Sequence, residues 1–570
     1  MSIFFNGRLW TTPATMSAVD DSAMYNKNLT VGNVLALVGL ADGGKPNTAL
    51  SFGSPSEAEA ILKGGDLLTA IRKAFDPSSE TGSPTTIIAV RVNPATQASL
   101  ALVNASAASV ITLLSTDYGQ GANQIKVKVE AGTNKGLRLT TQNGNDYYSE
   151  DDVYRDAFSV VYGGASPTAT IAIDGVSCTL AAPAGTTVAT IDLNAFPTIQ
   201  QLVDRINVVP GFLATVIDGN GEKPALNGLD YAAAQSVKAS FTVTAHLQAA
   251  VDWLNGAGEG FVNATRVAGA GTLPAPGNWT YLSGGSDGVV TNSEWQAAYT
   301  TLQAEDVQWV VPLSNNASIH AMNDSHCAFM SNVSLMERRG IVGTASGTSD
   351  DAAIAAVKAI NSDRTSLVHL GYYDYSATGK LVLMEPYFTA AAVAGAFSGV
   401  NPGTPLTNKS LKFRGLERKV RKPTDTDKLI KGGVLCISDE EDGYRVVKSI
   451  TTWLTNDNYN RVEVSTGVAT DFVARNVRNA LKSMVGAKGN PVSLSLAVTK
   501  TETALTELAR PEPQGPGVIV GDKDNPAFKG ITASLDGDVL RVQFQCSPVI
   551  PINYIPVSIF AVPYSGTASA

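Results

Sequence analysis

The chain has 570 residues, with 42 Lys+Arg against 51 Asp+Glu and a formal net charge of −9. Charged residues are only 16% and apolar residues 44%, where an ordinary soluble protein carries roughly 25% charge. With a mean hydropathy of +0.04, this excludes a disordered polyanion and a basic nucleic-acid binder. The length predicts several domains, each able to bury a core. So little charge predicts a molecule that hides much of its surface in an assembly.

Cys178, Cys327, Cys436 and Cys546 stand far apart and form no CxxC pair, which argues against a disulfide scaffold or a zinc ribbon. The start, MSIFFNGRLW, has one Arg and no apolar core of signal-peptide length, so folding in a cytoplasm is expected. No apolar run approaches the roughly 18 residues of a membrane helix. His246, His320, His326 and His369 are the only histidines. They leave little material for metal or acid–base chemistry, and no metal site, catalytic residue or cofactor is expected.

In chain order, residues 1–20 carry no useful period and read as an arm. Asn33 to Ala41 is an apolar strand. Ser54-Pro55-Ser56-Glu57 then places a capping box and a first-turn Pro at the head of a helix running to about Phe75. Thr86 to Val92 is a second buried strand. From 98 to 280 Gly, Thr, Ala and Asn become frequent and strands alternate. Ile125, Val127 and Val129 interleave with Lys126, Lys128 and Glu130, as a half-buried strand requires. Asp174-Gly175 between alternating runs predicts a hairpin. Short helices are expected near 197–207 and 245–256. This block interrupts an α/β pattern on both sides and reads as an insertion.

The α/β rhythm resumes after residue 285. Thr291 and Glu294 form a capping box, with Trp295, Tyr299 and Leu302 on one helix face. Val307 to Leu313 is a strand, 316–337 a helix, Ile341 a short strand, 350–361 an Ala-rich helix and Ser366 to Tyr372 a strand. Such alternation implies a mainly parallel sheet covered by helices. Strand-rich sequence follows to 546, broken by one clear helix at 469–485. The last residues, with Pro548, Pro551, Pro556 and Pro563, form a second arm. The expected fold is multi-domain α+β: a mainly parallel α/β core, a mostly β insertion and extended terminal arms. The expected boundaries are 1–20, 21–97, 98–280, 281–410, 411–547 and 548–570.

Three motifs suggest chemistry. Gly39, Gly44 and Lys45 fit the frame of a phosphate loop, but Pro46 replaces the Ser or Thr that would hold Mg²⁺ and removes a backbone N–H. Gly284-Gly285-Ser286-Asp287-Gly288 matches a nucleophile elbow, yet the next helix begins only after Thr291. His326-Cys327 are adjacent on a helix and point about 100° apart. A glycine turn, an interdomain turn and core packing are the simpler readings. An α/β hydrolase using Ser286, with His369 and Asp363 or Asp374, stays as a distant alternative. Glu337-Arg338-Arg339 and the run Arg418 to Lys422 read as solvated charged faces. The second lacks the interleaved aromatics of a nucleic-acid surface.

Several stretches together resemble the tail sheath proteins of contractile-tailed phages. They are the L-x-G-G-x-D-G turn (Leu282, Gly284, Gly285, Asp287, Gly288), the small-residue helix from Tyr387 to Gly395 leading into Asn401-Pro402-Gly403 and Pro405 to Lys409, and Tyr444 to Thr452 followed by Arg461-Val462. The match covers about 20–95 and 280–570 in order. Within 98–280 it extends little beyond Tyr118-Gly119 and Gly121-Ala122-Asn123. The resemblance implies a virion structural protein, not an enzyme, assembled in the host cytoplasm. Its partners would be itself in stacked hexameric rings, a tail tube protein, and baseplate and terminator proteins, without nucleic acid or membrane insertion. A sheath of a bacterial contractile injection particle would share the fold.

The resemblance also implies that the C-terminal domain lies nearest the tube, that 98–280 faces outward and that terminal strands pass between subunits. In the 469–485 helix, Phe472, Val473, Val477, Leu481 and Met484 follow the core spacing. Arg475, Arg478 and Lys482 share the opposite face and are the expected tube-facing residues. In the C-terminal arm Ile555, Val557 and Ile559 share one phase, and Ser558, Phe560 and Val562 the other. These are the expected inter-subunit strand, with Cys546 at its root available for a cross-subunit bond.

Overall fold

The computed structural model describes residues 3–5, 8–10, 33–256, 260–376 and 379–566. Its centre is a six-stranded sheet in the order Thr365–Val368, Arg339–Gly343, Trp309–Pro312, Val34–Gly39, Thr86–Arg91, Ala49–Phe52. Neighbours run parallel except for the last, antiparallel edge strand. Strand alternation sends Leu35, Leu37, Ile87 and Ala89 to one face and Ala36, Val38, Ile88 and Val90 to the other. Both faces are covered by helices, so these strands are apolar on both sides. Helices Gly65–Phe75 and Pro386–Ser398 cover the first face; Asn292–Leu302 and Ala317–Asn332 cover the second. The fold class is the one the sequence implies.

The helix expected from Pro55 to about Phe75 is two helices, Pro55–Leu62 and Gly65–Phe75. The chain turns at Lys63-Gly64-Gly65, where Gly65 has φ +88° and an added Cβ would lie 2.8 Å from the Ala41 backbone. The Thr291–Glu294 capping box is present as expected.

Between the two halves of the sheet the chain builds two further cores, one nested in the other. The nearer body contains strands Gln97–Val103, Ser109–Tyr118 and Val262–Arg266, a second sheet over residues 126–153 and 280–281, and helix His246–Gly256. The farther body, residues 156–245, packs a three-stranded and a four-stranded sheet on helix Ile199–Asn207. The Asp174 turn closes a hairpin there, its Oδ1 accepting from the Val176 and Ser177 amides. The two chain crossings between the bodies are adjacent, because Asp156 pairs with Thr244. We expect replacement of 157–243 by a short Gly/Ser linker to leave the other cores folded. Circular dichroism and gel filtration would check this, and aggregation of the shortened chain would show that the cores depend on one another.

Residues 411–463 do not form a separate body, as the boundary at 411 would suggest. Leu411, Phe413, Ile437 and Val446 belong to the main core, and Val420, Leu429 and Cys436 pack with Val342, Val357 and Leu367. The self-contained C-terminal core is made instead by helix Val464–Leu481, helix Pro491–Ala509, and the hairpin Phe528–Asp536/Val539–Cys546. At the other end, Ile3–Phe5 and Arg8–Trp10 pair as a short antiparallel hairpin. The rest of the expected N-terminal arm lies outside the described residues.

Candidate assembly interface: the C-terminal module and its arm

Helix Val464–Leu481 ends in a 3₁₀ turn, Lys482–Met484. Phe472, Val473 and Val477 are buried against Leu505, Leu508, Val518 and Ile519, as their spacing requires. The opposite side is where the expectation fails. Arg475 and Arg478 do not form an open basic stripe. Arg475 donates from Nε to Glu337 Oε2 at 3.1 Å and pairs with Asp306 at 2.9 Å. Arg478 Nη2 lies 2.6 Å from Glu337 Oε1. On the preceding turn Asp471 accepts from Arg339 at 2.9 Å and from Arg364 at 2.7 Å. The helix is covered on two sides, by its own module and by the α/β core, which a one-helix reading cannot reveal. Lys482 alone of the three is exposed.

Glu337-Arg338-Arg339 is likewise not a solvated face: the three are 8%, 1% and 5% exposed. They enter the sheet strand Arg339–Gly343, and each finds partners inside the subunit, with Arg338 Nε left unpaired. Arg338 donates to the Leu302 and Glu305 carbonyls and to His326 Nε2 at 3.0 Å. Burial and the neighbouring Arg338 charge push the His326 pKa down to about 3, so the ring is neutral and accepts that bond. The run Arg418 to Lys422 is also largely paired: Arg418 with Asp350, Arg421 with Asp425 and Lys422 with Glu440.

The C-terminal arm leaves from the start of the same helix. The Val549 amide donates to the Val518 carbonyl at 3.0 Å, and Thr466 Oγ1 donates to the Val549 carbonyl at 3.2 Å. Residues 551–566 have no regular structure. Ile555, Val557, Ile559, Phe560 and Val562 are 78%, 75%, 86%, 87% and 84% exposed. A run of apolar side chains this exposed marks a surface meant to be covered. Among the described residues the hairpin 528–546 has two strands only, so both of its outer edges lack a strand partner there.

The motifs that suggested chemistry resolve into structure. The Gly39–Lys45 loop is filled by protein: the Gly43 amide donates to the Leu62 carbonyl at 2.8 Å, and the Gly44 carbonyl accepts from Arg91 at 2.9 Å. Ser286 is in a turn, bonded through its backbone to Thr96, its Oγ accepting from the Gly288 amide at 3.1 Å. His369 is buried and bonded to Asp350 at 3.1 Å. The function of the Gly-Gly-x-Asp-Gly turn is architectural. Asp287 accepts from fully buried Arg91 at 3.0 Å, and Arg91 also donates to the Tyr118 carbonyl, so the root of the insertion is tied to the sheet. Among the described residues no group of His, Cys, Asp or Glu could hold a metal ion, and no helix is long and apolar enough to cross a membrane.

All four cysteines are free. Burial pushes the thiols of Cys178, Cys327 and Cys436 up to about 12, which makes them poor nucleophiles. Cys546 is half-buried. A thiol reagent applied to the native protein is therefore expected to label Cys546 alone, and all four after unfolding. Rapid native labelling at a second cysteine, read by peptide mass, would contradict the burial.

No protein-family model matches the chain. Whole-chain comparison finds the tail sheath protein of Bacillus phage SP01, 28% identical and covering 99% of this chain and 97% of that one. The tail sheath protein of Staphylococcus phage Twort is 24% identical over 82% of this chain and 84% of its own. Among solved structures, the sheath tail protein Lin1278 from Listeria innocua superposes with a TM-score of 0.56 at 13% identity, covering 91% of this chain and 92% of its own. The fold is thus that of the sheath tail proteins. Along nearly its whole length the chain is similar to phage tail sheath proteins.

Proposed function

We infer that this chain is the contractile sheath subunit of a phage tail, a virion component that polymerises as stacked hexameric rings around the tail tube. On a baseplate signal the sheath shortens and drives the tube through the host envelope. The observation that carries the reading is near full-length similarity to phage tail sheath proteins, joined to an apolar arm that this chain alone leaves uncovered. Energy for contraction would be stored at assembly, as in any metastable state held by a kinetic barrier. Its partners would be further copies of itself, the tube protein, and the baseplate and terminator proteins, with assembly in the host cytoplasm. The 98–280 block would face outward and be dispensable for polymerisation. Its two ends meet, since Ser99 and Ser283 are mutually hydrogen-bonded.

The arm carries the lattice in this reading. Strand addition to a neighbour would satisfy its backbone and cover Ile555, Val557, Ile559, Phe560 and Val562. With Arg475 and Arg478 held inside the subunit, contact with the tube would rest on Lys482 and its surroundings rather than on the whole stripe. Negative-stain microscopy of the expressed protein is expected to show tubes or polysheath, and persistent monomers at high concentration would count against the assignment. Truncation after Tyr554 is expected to give folded, non-polymerising protein. Normal tubes from that truncation would remove the arm from the lattice. The cut belongs there rather than at 548, because Val549 packs in the C-terminal core.

A further inference from the structure

Inward-facing positions end abruptly in the arm. Pro551 and Asn553 are half-buried, Ile552 is exposed, and every described residue from Tyr554 onward is exposed. Asn553 Nδ2 donates to Glu463 Oε1 at 2.9 Å. Glu463 is fully buried, and Lys448 Nζ pairs with the same oxygen at 3.1 Å, with side-chain exposures of 18% and 0%. A hydrogen bond to a buried carboxylate is among the stronger kinds. Among the described residues it is the last hydrogen bond along the arm, 90 residues in sequence from its partner. Beyond it, Pro556 and Pro563 bracket Val557–Val562. Proline has no N–H to give to a sheet ladder, so these two residues bound a continuous donor stretch, about 20 Å long when extended.

We propose that Asn553 is a peg, seated in the Lys448–Glu463 socket, that sets where the exchanged strand begins. The proposal rests on the arm-exchange reading above and adds a length to it. Only Tyr554, Ile555 and Pro556 separate the peg from the donor stretch, and a fully extended tether of that length reaches about 14 Å. The neighbour's acceptor edge therefore starts within about 14 Å of Asn553 in the assembled lattice. The socket also fixes direction, since Tyr554 lies 6.0 Å from the Lys448 ammonium.

Two variants of the full chain test this. Asn553→Ala removes the peg. Insertion of Gly-Ser-Gly-Ser between Tyr554 and Ile555 keeps the peg and lengthens the tether. In the unassembled subunit, proteinase K followed by mass spectrometry is expected to cut wild type and the insertion variant only beyond Tyr554. Asn553→Ala should also be cut within 549–553, at a rate on the order of tenfold higher, because a charged hydrogen bond has been lost. In assembly, both variants should give fewer and shorter tubes than wild type. Wild-type cleavage in Asn553→Ala would overturn the peg. Wild-type tubes from the insertion variant would overturn the tether length. If truncation after Tyr554 still assembles, it is arm exchange itself that fails, a different result from either.

Discussion

Replacing Glu337 by alanine is expected to destabilise the junction between the α/β core and the C-terminal module by about 3–5 kcal/mol, the usual cost of stranding a buried charge. Glu337 has a side-chain exposure of 7% and faces Arg475, at 13%. Its carboxylate accepts from Arg475 Nε, and Arg478 Nη2 donates to both of its oxygens. Without it, Arg475 keeps the backbone carbonyl of residue 337 and Asp306, whose side chain is 49% exposed. The chain has several cores, so a single unfolding free energy is not the right observable. The measurement is hydrogen exchange of helix Val464–Leu481 together with denaturant titration. A double-mutant cycle with Arg475→Ala should give a coupling well above the few tenths of a kcal/mol expected of independent sites. Full additivity would mean that the contact carries no energy. Assembly should suffer too, since the same helix carries the arm root through Thr466.

The largest effect is expected at Gly395. Helix Pro386–Ser398 is buried at every residue except Tyr387, and it packs on helix Gly65–Phe75 through this glycine. An added Cβ would lie 2.4 Å from the Ala74 carbonyl oxygen and 2.8 Å from its Cα. Those are backbone atoms of a packed helix, so they cannot swing aside as a side chain would. Gly395→Val should therefore cost more than about 4 kcal/mol and give insoluble protein. Ala74→Gly should not rescue it, because the clash is not with the Ala74 methyl. Soluble, wild-type-like protein from Gly395→Val, or rescue by Ala74→Gly, would show that the helices are not locked in this register. The neighbouring stack of Trp309 on Phe397, with ring centroids 4.6 Å apart, would be lost with them.

Much of this was legible in the chain. Alternating apolar residues that are buried on both faces, such as Leu35-Ala36-Leu37-Val38, can only belong to a covered sheet, and the caps at Ser54 and Thr291 marked helix starts. Other features were hidden for identifiable reasons. Helix Pro491–Ala509 was missed because six Ser and Thr residues interrupt its apolar pattern. Five of them are accommodated by bonding back to carbonyls one turn earlier, as Thr501 does to Ala497 at 2.8 Å. The nesting of two bodies within 98–280 was invisible because each has the same β texture. The distinction lies in which strands share a core, and that is a long-range fact.

Sequence alone was sufficient for the class of fold, the interrupted core, the apolar arm and the likeness to tail sheath proteins, because these rest on local periodicity, composition and the order of short motifs. What only the tertiary structure decided is where the charges go. Glu337, Arg338, Arg339, Arg475 and Arg478 look like surface residues in any window of the chain. They become a buried junction only when a strand entrance and a C-terminal helix, far apart in sequence, meet. The same holds for Arg91 and Asp287, |i−j| = 196, which join the insertion to the sheet. Periodicity reports which side of an element is apolar. It does not report whether the polar side meets water or another element, because the Coulomb and desolvation terms that decide this depend on partners brought together by folding.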